Sequence, residues 1–320
     1  MSTTTAPVRF FQFGDPQIGM GLDGAEGDTR RLAIAVEHAN TRALGPETVL
    51  LLCGDLVHWA SAGSQPCPPA ELDGVVTGIS QFKGTVLRLP GNHDIFSPAS
   101  RALYLSTHNL AESYYAHTVP GVTFVVLDAT TLIKEPKQYE EVERKHGEGQ
   151  WAWIETVLGE ARKRGDEVVV AGHYPVYIFD EDEEDCYWTF AAGPRRRFMS
   201  LMRAHSVRHY FCGHMHRTFA ATTRKGDFTV WVVGGTSTVT DEKTNSYGYR
   251  VFDLIRGDAA FPPLSDATTH PMSQHTLLRT SYVRLDLPSD AVPPSCEEWS
   301  HLWPKLPARP EGVVTELVGV

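Results

Sequence analysis

The chain has 320 residues, of which 42% are hydrophobic and 21% charged, a composition typical of a globular protein with a full buried core. This composition excludes collagen-like, coiled-coil and wholly disordered classes of protein. With 29 basic and 39 acidic residues, the formal net charge is −10. No overall positive field is therefore available to attract nucleic acid, and we expect no nucleic-acid partner.

No run in the sequence approaches the ~18 consecutive apolar residues of a membrane span. The N-terminal residues lack the basic and apolar segments of a secretory leader. We therefore expect a soluble, cytoplasmic protein without a membrane partner. The cysteines number five and are scattered, which favours reduced thiols over a disulfide framework. The oligomeric state has no signature in the sequence.

Short apolar runs rich in Val, Phe and Leu recur along the chain and predict buried β-strands. The runs are 8–13, 49–53, 86–89, 122–127, 168–171, 209–212 and 229–233. Amphipathic stretches at 29–44 and 150–164 predict helices between them. Alternation of strand and helix predicts a largely parallel sheet, and the strand-rich segment 228–254 predicts a second sheet packed on the first.

The domain organisation follows from a change in composition near residue 287. We expect one domain over 6–287, because no repeat and no linker interrupts the alternating elements. From there onward the sequence is rich in Pro, Ser and Trp. Segment 288–320 is therefore predicted to be an irregular appendage, packed on the core or partly mobile.

Each of five predicted strands is followed closely by a glycine and polar side chains that can bind metal ions. Ligand sites in open α/β sheets form outside the carboxyl ends of the strands, so we expect these ends to share one site. Taken singly, a Gly-Asp or Gly-His pair is a common turn, but five in succession favour a metal site. The blocks are Gly14-Asp15-Pro16-Gln17, Gly54-Asp55, Gly91-Asn92-His93-Asp94, Gly172-His173 and Gly213-His214-Met215-His216.

This ordered set of blocks resembles the signature of the calcineurin-like metallophosphoesterase superfamily, and the resemblance spans roughly residues 8–254. Gln17 stands where most members have His. This Gln and the acidic run 180–185 resemble the branch called complete Ser/Thr protein phosphatases, the calcineurin-like phosphoesterase domain-containing phosphatases. The resemblance implies an α/β fold, a four-layer α/β/β/α sandwich with two mixed β-sheets. It also implies a centre of two divalent metal ions.

By the same resemblance, two overlapping sets of residues bind the two metal ions, and Asp55 bridges them. A carboxylate suits this position because its two oxygens can bind two cations. Gln17 supplies a neutral amide oxygen in place of imidazole. An oxygen-rich site favours Mn²⁺, Fe²⁺ or Mg²⁺, whereas intrinsic affinity favours Zn²⁺, so the metal stays open. The first set is Asp15, Gln17, Asp55 and His216, and the second is Asp55, Asn92, His173 and His214.

His93 and Asp94 are the candidate catalytic residues. His93 follows the predicted ligand Asn92, so its imidazole is expected at the edge of the centre. There it would neutralise phosphoryl charge or protonate the leaving oxygen. Asp94 is expected to orient His93 and to raise its pKa. The alternative is that the two residues only stabilise a turn.

The expected activity is that of a metal-dependent phosphomonoesterase. It would hydrolyse phosphoserine or phosphothreonine in proteins, or small phosphate esters, by attack of a metal-bridging hydroxide. A phosphodiesterase acting on cyclic nucleotides or nucleotide diesters would use the same ligands and stays open as an alternative. A non-catalytic protein-binding scaffold on this fold would be expected to lose metal or acid residues. All of them are present here, which argues against a scaffold.

Two charged runs have open roles in the sequence. The acidic run 180–185 would either attract basic residues beside a phosphorylated side chain or form a solvated loop that only aids solubility. The run Arg195-Arg196-Arg197 would either reach a substrate phosphate or cover a helix start and pair with the acidic run, and we favour the second.

Overall fold

The fold is built on two β-sheets, and the computed structural model describes residues 8–21, 23–59, 66–237, 247–256, 261–285 and 315–317. The strands are β1 (Val8–Phe13), β2 (Val49–Leu52), β3 (Thr85–Arg88), β4 (Tyr115–Val119), β5 (Val122–Val126), β6 (Glu167–Ala171), β7 (His209–Cys212), β8 (Phe219–Thr222), β9 (Thr229–Val232), β10 (Tyr247–Arg256), β11 (Thr268–Pro271), β12 (Thr276–Leu285) and β13 (Thr315–Leu317). The helices are α1 (Gly24–Asn40), α2 (Pro69–Ile79), α3 (Pro98–His108), α4 (Glu141–Arg164) and α5 (Ala192–Ala204).

Both sheets are mixed, and each has a parallel core. The first has the strand order β11-β12-β10-β1-β2-β3, in which β1, β2 and β3 are parallel neighbours. The second has the order β13-β8-β9-β7-β6-β5-β4, in which β5, β6, β7 and β9 run parallel. Parallel neighbours present their carboxyl ends at one edge, so each sheet places several strand exits side by side.

The layers follow from where each strand buries its apolar side chains. Phe11 and Leu50 of the first sheet pack against α1 and α2, for example on Leu32 and Val75. Val170 and Tyr210 of the second sheet pack in the same way against α4 and α5. The opposite faces of the two sheets meet in a third buried cluster. The predicted four-layer α/β/β/α sandwich is therefore confirmed.

Aromatic rings fill the space between the sheets. Phe10 of β1 stacks on Phe252 of β10, with ring centroids 4.9 Å apart, and meets Phe211 of β7 edge-on at 5.2 Å. These rings are buried, and their side chains come from both sheets. Such offset and edge-to-face contacts add to the area-dependent gain of burial, so they fix how the sheets sit on each other.

One buried amide bonds the two sheets directly. Gln12 of β1 donates through its Nε2 atom to the carbonyl oxygens of Cys212 and Trp231, each at 2.8 Å. Gln12 is fully buried, and burying an amide costs free energy unless it is hydrogen-bonded. The bonds connect the end of β1 to the ends of β7 and β9, next to the predicted ligand blocks that begin at Gly14 and Gly213.

The predicted strand bounds differ from the observed ones by at most one residue at each end. The helix bounds differ more. α1 spans 24–40 rather than 29–44, and α4 begins nine residues before position 150, at Glu141. The first turns of α4 are mostly exposed and polar, so they carry no apolar periodicity from which a start could be read.

Segment 288–320 is described only at β13, whose backbone pairs antiparallel with β8. The rest of this predicted appendage, and the junction at 287, lie outside the described residues. Among the residues that the structure describes, no helix is both long enough and apolar enough to cross a membrane.

His209 forms a second link between the sheets and must stay neutral to do so. Its Nδ1 atom accepts a hydrogen bond from Trp231 Nε1 at 3.2 Å, and its Nε2 atom lies 3.0 Å from the carbonyl oxygen of Pro271. This arrangement uses both ring nitrogens of the neutral imidazole, one as acceptor and one as donor. Burial lowers the pKa of His209 to about 4.

We expect His209 to make stability depend on pH. Its folded pKa of about 4 lies below the ordinary value of 6.5, so the unfolded chain binds the extra proton between these values. The contribution of neutral His209 to the free energy of unfolding is present above pH 6.5 and is lost as the pH falls toward 4. The full loss, reached below the folded pKa, is about 3 kcal/mol. The free energy of unfolding, measured with urea at several pH values in this range, should depend less steeply on pH in His209→Gln than in the wild type. The exposed His275→Gln should keep the wild-type slope, and equal slopes for all three proteins would contradict the assignment.

Candidate metal centre

The five sequence blocks meet at one edge of the sandwich. Three of them follow the parallel neighbours β1, β2 and β3, and two follow the parallel neighbours β6 and β7 of the other sheet. The side chains that they bring together form two groups of possible metal ligands, with ligand atoms within 4.8 Å of one another. The groups are Asp55, His173 and His214, and Asp15, Asp55 and His216.

The first group is organised around His173. Its Nε2 atom lies 3.2 Å from Asp55 Oδ2, 3.2 Å from Asn92 Oδ1 and 3.1 Å from His214 Nδ1. Its Nδ1 atom lies 2.8 Å from the carbonyl oxygen of Cys53, which fixes the ring orientation. Two imidazole nitrogens, a carboxylate oxygen and an amide oxygen converge here. That is a donor set for a divalent transition metal.

The second group shares Asp55 and adds side chains from the first and last blocks. His216 Nε2 lies 3.7 Å from Asp15 Oδ1. Gln17 Oε1 is buried and has no hydrogen-bond partner among the described residues. A buried carbonyl oxygen without a partner costs free energy, and a cation at this position would satisfy it. The donor set fits a metal ion, and Asp55 is common to both groups.

The backbone of the ligand loops is strained. Five of the eight non-glycine residues with positive φ in the described residues are predicted ligands. Side chains other than glycine rarely adopt this conformation, and such outliers gather at functional sites. The strained ligands are Asp15 (37°), Gln17 (41°), Asp55 (48°), His214 (67°) and His216 (48°).

Two glycines make room for the ligands. Gly54 has a φ of +88°, and a Cβ atom there would lie 2.5 Å from Nδ1 of His173. At Gly91, a Cβ atom would lie 2.2 Å from Oδ1 of Asp55. Any larger residue would displace a ligand at either position. Both glycines are therefore needed for close approach, and Gly54 is also needed for its positive φ.

The electrostatics of the cluster favour positive charge. Burial opposes ionisation of Asp55, but His173 and His93 outweigh it and hold its pKa below the ordinary value. Burial raises the pKa of Asp15 well above its usual range, with Asp55 adding to the effect. The two carboxylates raise the pKa of His173 to about 9 although its burial opposes this. Since a ligand imidazole must be deprotonated, a metal ion bound here would take the place of the proton on His173.

The other two histidines are held neutral. Burial, followed by the charge of His173, lowers the pKa of His214 well below the ordinary value. Burial also lowers the pKa of His216 to about 4. A neutral imidazole has a lone pair for a metal ion, whereas an imidazolium has none. Both residues are therefore in the ligand form at neutral pH.

Asp94 does not contact His93 as the sequence predicted. Its carboxylate accepts hydrogen bonds from the backbone N–H groups of Leu56, at 2.9 Å, and Gly91, at 2.8 Å. A longer bond of 3.3 Å comes from the backbone of Val57. The expected role of orienting His93 is thus corrected. Asp94 is buried and ties the loop after β2 to the loop after β3.

His93 lies against the cluster through its backbone and its ring. Its N–H group donates to Asp55 Oδ1 at 2.8 Å. Its ring stacks on His58, with centroids 5.2 Å apart, and its Nδ1 atom lies 3.4 Å from the carbonyl oxygen of His58. With Nδ1 facing this carbonyl, Nε2 is the ring nitrogen left for a substrate.

The acidic run 180–185 does not match either alternative from the sequence, a run whose charges all face a substrate or a solvated loop, because two of its carboxylates form ion pairs. Asp180 pairs with Arg224 at 3.1 Å, and Glu181 pairs with Arg203 at 2.7 Å. Part of the negative charge is therefore paired with basic side chains of this chain, while Asp182, Glu184 and Asp185 are exposed.

Two further carboxylates of the run, Glu183 and Asp185, bind residues at the start of α5. Glu183 accepts hydrogen bonds from the backbone of 178 and 179, and it lies 3.4 Å from Arg195. Asp185 accepts from the backbone N–H of Ala192 at 2.7 Å. Arg195 is almost fully buried, and its contacts with Glu183 and Asp185 confirm the favoured pairing with the acidic run. Arg197 instead pairs with Glu148 on α4.

Sequence reasoning missed the aromatic side chains around His214. The ring centroid of Tyr174 lies 4.1 Å from that of His214, and those of Trp188 and Tyr187 lie at 5.2 and 5.9 Å. Tyr174 directly follows the ligand His173, which was the one available signal. Tyr187 and Trp188 follow the acidic run, and no sequence pattern marked them as part of the site.

The comparisons with known proteins agree with this geometry. The family model described as calcineurin-like phosphoesterase matches residues 8–218. The serine/threonine-protein phosphatase CPPED1 of Danio rerio is 26% identical over 231 residues, which are 67% of this chain and 71% of that protein. CPPED1 of Mus musculus is 26% identical over 242 residues, or 70% and 74% of the two chains.

Among solved structures, a dimetal phosphatase from Danio rerio superposes with a TM-score of 0.53 at 17% identity, covering 77% of this chain and 94% of that one. At this identity the likeness concerns the fold alone. The family match covers more than half of the chain and contains the first four ligand blocks together with His214 and His216. The chain therefore belongs to the calcineurin-like phosphoesterase family and is a metal-dependent phosphoric ester hydrolase.

Proposed function

We propose that this protein removes phosphate from phosphorylated serine and threonine side chains of proteins, and that small phosphate monoesters are also substrates. The observation that carries the proposal is the pair of ligand groups that share Asp55. The relatives named serine/threonine-protein phosphatases support this choice of substrate over a phosphodiester.

The proposed ligand sets follow the two groups. One metal ion is held by Asp15, Gln17, Asp55 and His216, and the other by Asp55, Asn92, His173 and His214. When bound, two such ions activate a water for attack on phosphorus and neutralise phosphoryl charge. Both sets combine carboxylate or amide oxygens with imidazoles, a mixture that suits Mn²⁺, Fe²⁺, Mg²⁺ or Zn²⁺.

His93 is proposed to give the leaving group its proton. Its backbone bond to Asp55 fixes it beside the shared carboxylate, and the His58 carbonyl fixes the direction of Nδ1. Nε2 would then donate a proton to the alkoxide of serine or threonine as the ester bond breaks. Alkoxides are poor leaving groups, so this proton matters most for the proposed substrates.

Asp94 is proposed to position the centre rather than to act on protons. Its bonds to the backbone of Leu56 and Gly91 hold the strained turn at Asp55 against the loop that carries Asn92. Residues that orient ligands in this way contribute to metal affinity without touching the metal.

Replacing Asp55 should remove both metal ions. We expect Asp55→Asn to retain far less than one metal per chain and to lose at least about 100-fold in turnover, because both sets lose their shared anion. Inductively coupled plasma mass spectrometry on the purified variant measures the metal content. Asp182→Ala, an exposed acidic residue, is the control and should keep both ions. Full metal content in Asp55→Asn would contradict the bridging role.

Replacing Gln17 should affect one ion only. Gln17→Leu removes the amide oxygen and leaves an apolar side chain that is one atom shorter, and Gln17 belongs to one of the two sets. We expect this variant to retain roughly one metal equivalent of about two, measured in the same way. Loss of both ions, or of neither, would show that the assignment of Gln17 is wrong.

Replacing His93 should separate proton transfer from metal binding. We expect His93→Ala to keep its metals yet lose about 10²–10⁴-fold in turnover on an alkyl phosphate. On an aryl phosphate with an acidic phenol the loss should be much smaller, because that leaving group needs no proton. The exposed His275→Ala is the control. Equal losses on both substrates, or loss of metal, would contradict the role of proton donor.

A further inference from the structure

Two pairs of aromatic side chains border the metal-ligand cluster, one from each sheet. The β6-side pair is Tyr187 and Trp188, in the segment between β6 and α5, with ring centroids 4.8 Å apart. The β2-side pair is Trp59 and Phe96, in the loops after β2 and β3, with ring centroids 4.9 Å apart. The proposed mechanism uses neither pair.

The β6-side pair packs on a proposed ligand and continues into solvent. Both rings lie within 6 Å of the His214 ring, measured between centroids. Tyr187 is 65% exposed, the largest value among the exposed large hydrophobic residues described. Glu183 and Asp185, just before it, are bonded to the body of the protein, which holds this rim in place.

The β2-side pair lies on the loops that carry two stacked histidines, His58 and His93. Trp59 directly follows His58, whose ring stacks on His93 at 5.2 Å with an angle of 15° between the planes. Phe96 follows His93 by three residues and is 47% exposed. This pair therefore belongs to the two loops that carry His58 and the proposed proton donor His93, whereas the β6-side pair packs on His214.

We propose that the two pairs bind bulky apolar side chains on either side of the phosphorylated residue in an extended polypeptide, an inference that rests on the proposed function. Aromatic rings offer a large apolar contact area to a bound apolar side chain, and each pair combines two of them. A nucleotide has one planar base and would occupy one pair. A polypeptide extends in both directions from its phosphate and can occupy both. A chain with a net charge of −10 also lacks the positive field that polynucleotides require.

The test compares phosphoserine peptides of equal length with Phe or Ala on both sides of the phosphoserine. We expect the wild-type, metal-loaded protein to show a kcat/KM about 10-fold higher for the Phe peptide. Tyr187→Ala and Phe96→Ala should each reduce this preference about 3-fold, through KM rather than kcat, and with two further peptides that carry Phe on one side only, each variant should affect only one of them. Val142→Ala removes a side chain of similar exposure on α4 and should leave the preference unchanged.

The outcomes separate this inference from the proposed function. Equal kcat/KM for the two peptides in the wild type would overturn the inference and leave the phosphatase function standing. A nucleoside monophosphate hydrolysed in preference to both peptides, with only one aromatic pair affecting it, would also overturn the inference. Hydrolysis of neither peptide by folded, metal-loaded protein would overturn the proposed function as well.

Discussion

The burial of two carboxylates within one cluster is the constraint on which the rest of the site depends. Asp15 and Asp55 are both almost fully inaccessible, and isolated buried charges are strongly unfavourable. The surrounding residues reduce this cost without removing it. The backbone N–H of His214 donates a bifurcated bond to both oxygens of Asp15, the backbone N–H of His93 donates to Asp55, and the two carboxylates raise the pKa of His173 to about 9. Cations bound by this cluster would offset the remaining negative charge of the two carboxylates.

The sandwich supplies the rigidity that this cluster needs. Positive φ angles at five ligands store strain that the packed sheets must hold. Gln12 joins the sheets just behind the ligand loops, and Asp94 joins two of the loops themselves. The catalytic edge is therefore braced from behind by buried hydrogen bonds and aromatic contacts. Tyr187 of the β6-side pair and Phe96 of the β2-side pair are exposed and available to a substrate.

Sequence patterns predicted the strands, and the convergence of the proposed ligands at one edge, because the signals for both are local. An apolar run defines a buried strand, and a glycine with a polar residue after it marks the exit, so Asp15, Asp55 and His214 could be placed before any coordinates. The role of Asp94 could not be predicted, because its partners are backbone N–H groups brought in from another loop. The burial of Arg195 and the neutralisation of the acidic run also depend on distant partners that no local pattern specifies.

The central claim is that one carboxylate is shared by two metal ions. Anomalous X-ray diffraction from crystals of the metal-loaded protein tests it most directly, because it locates each ion independently of activity. We expect two peaks about 3.5–4 Å apart, with Asp55 bound to both. A single peak, or two peaks of which only one contacts Asp55, would contradict it.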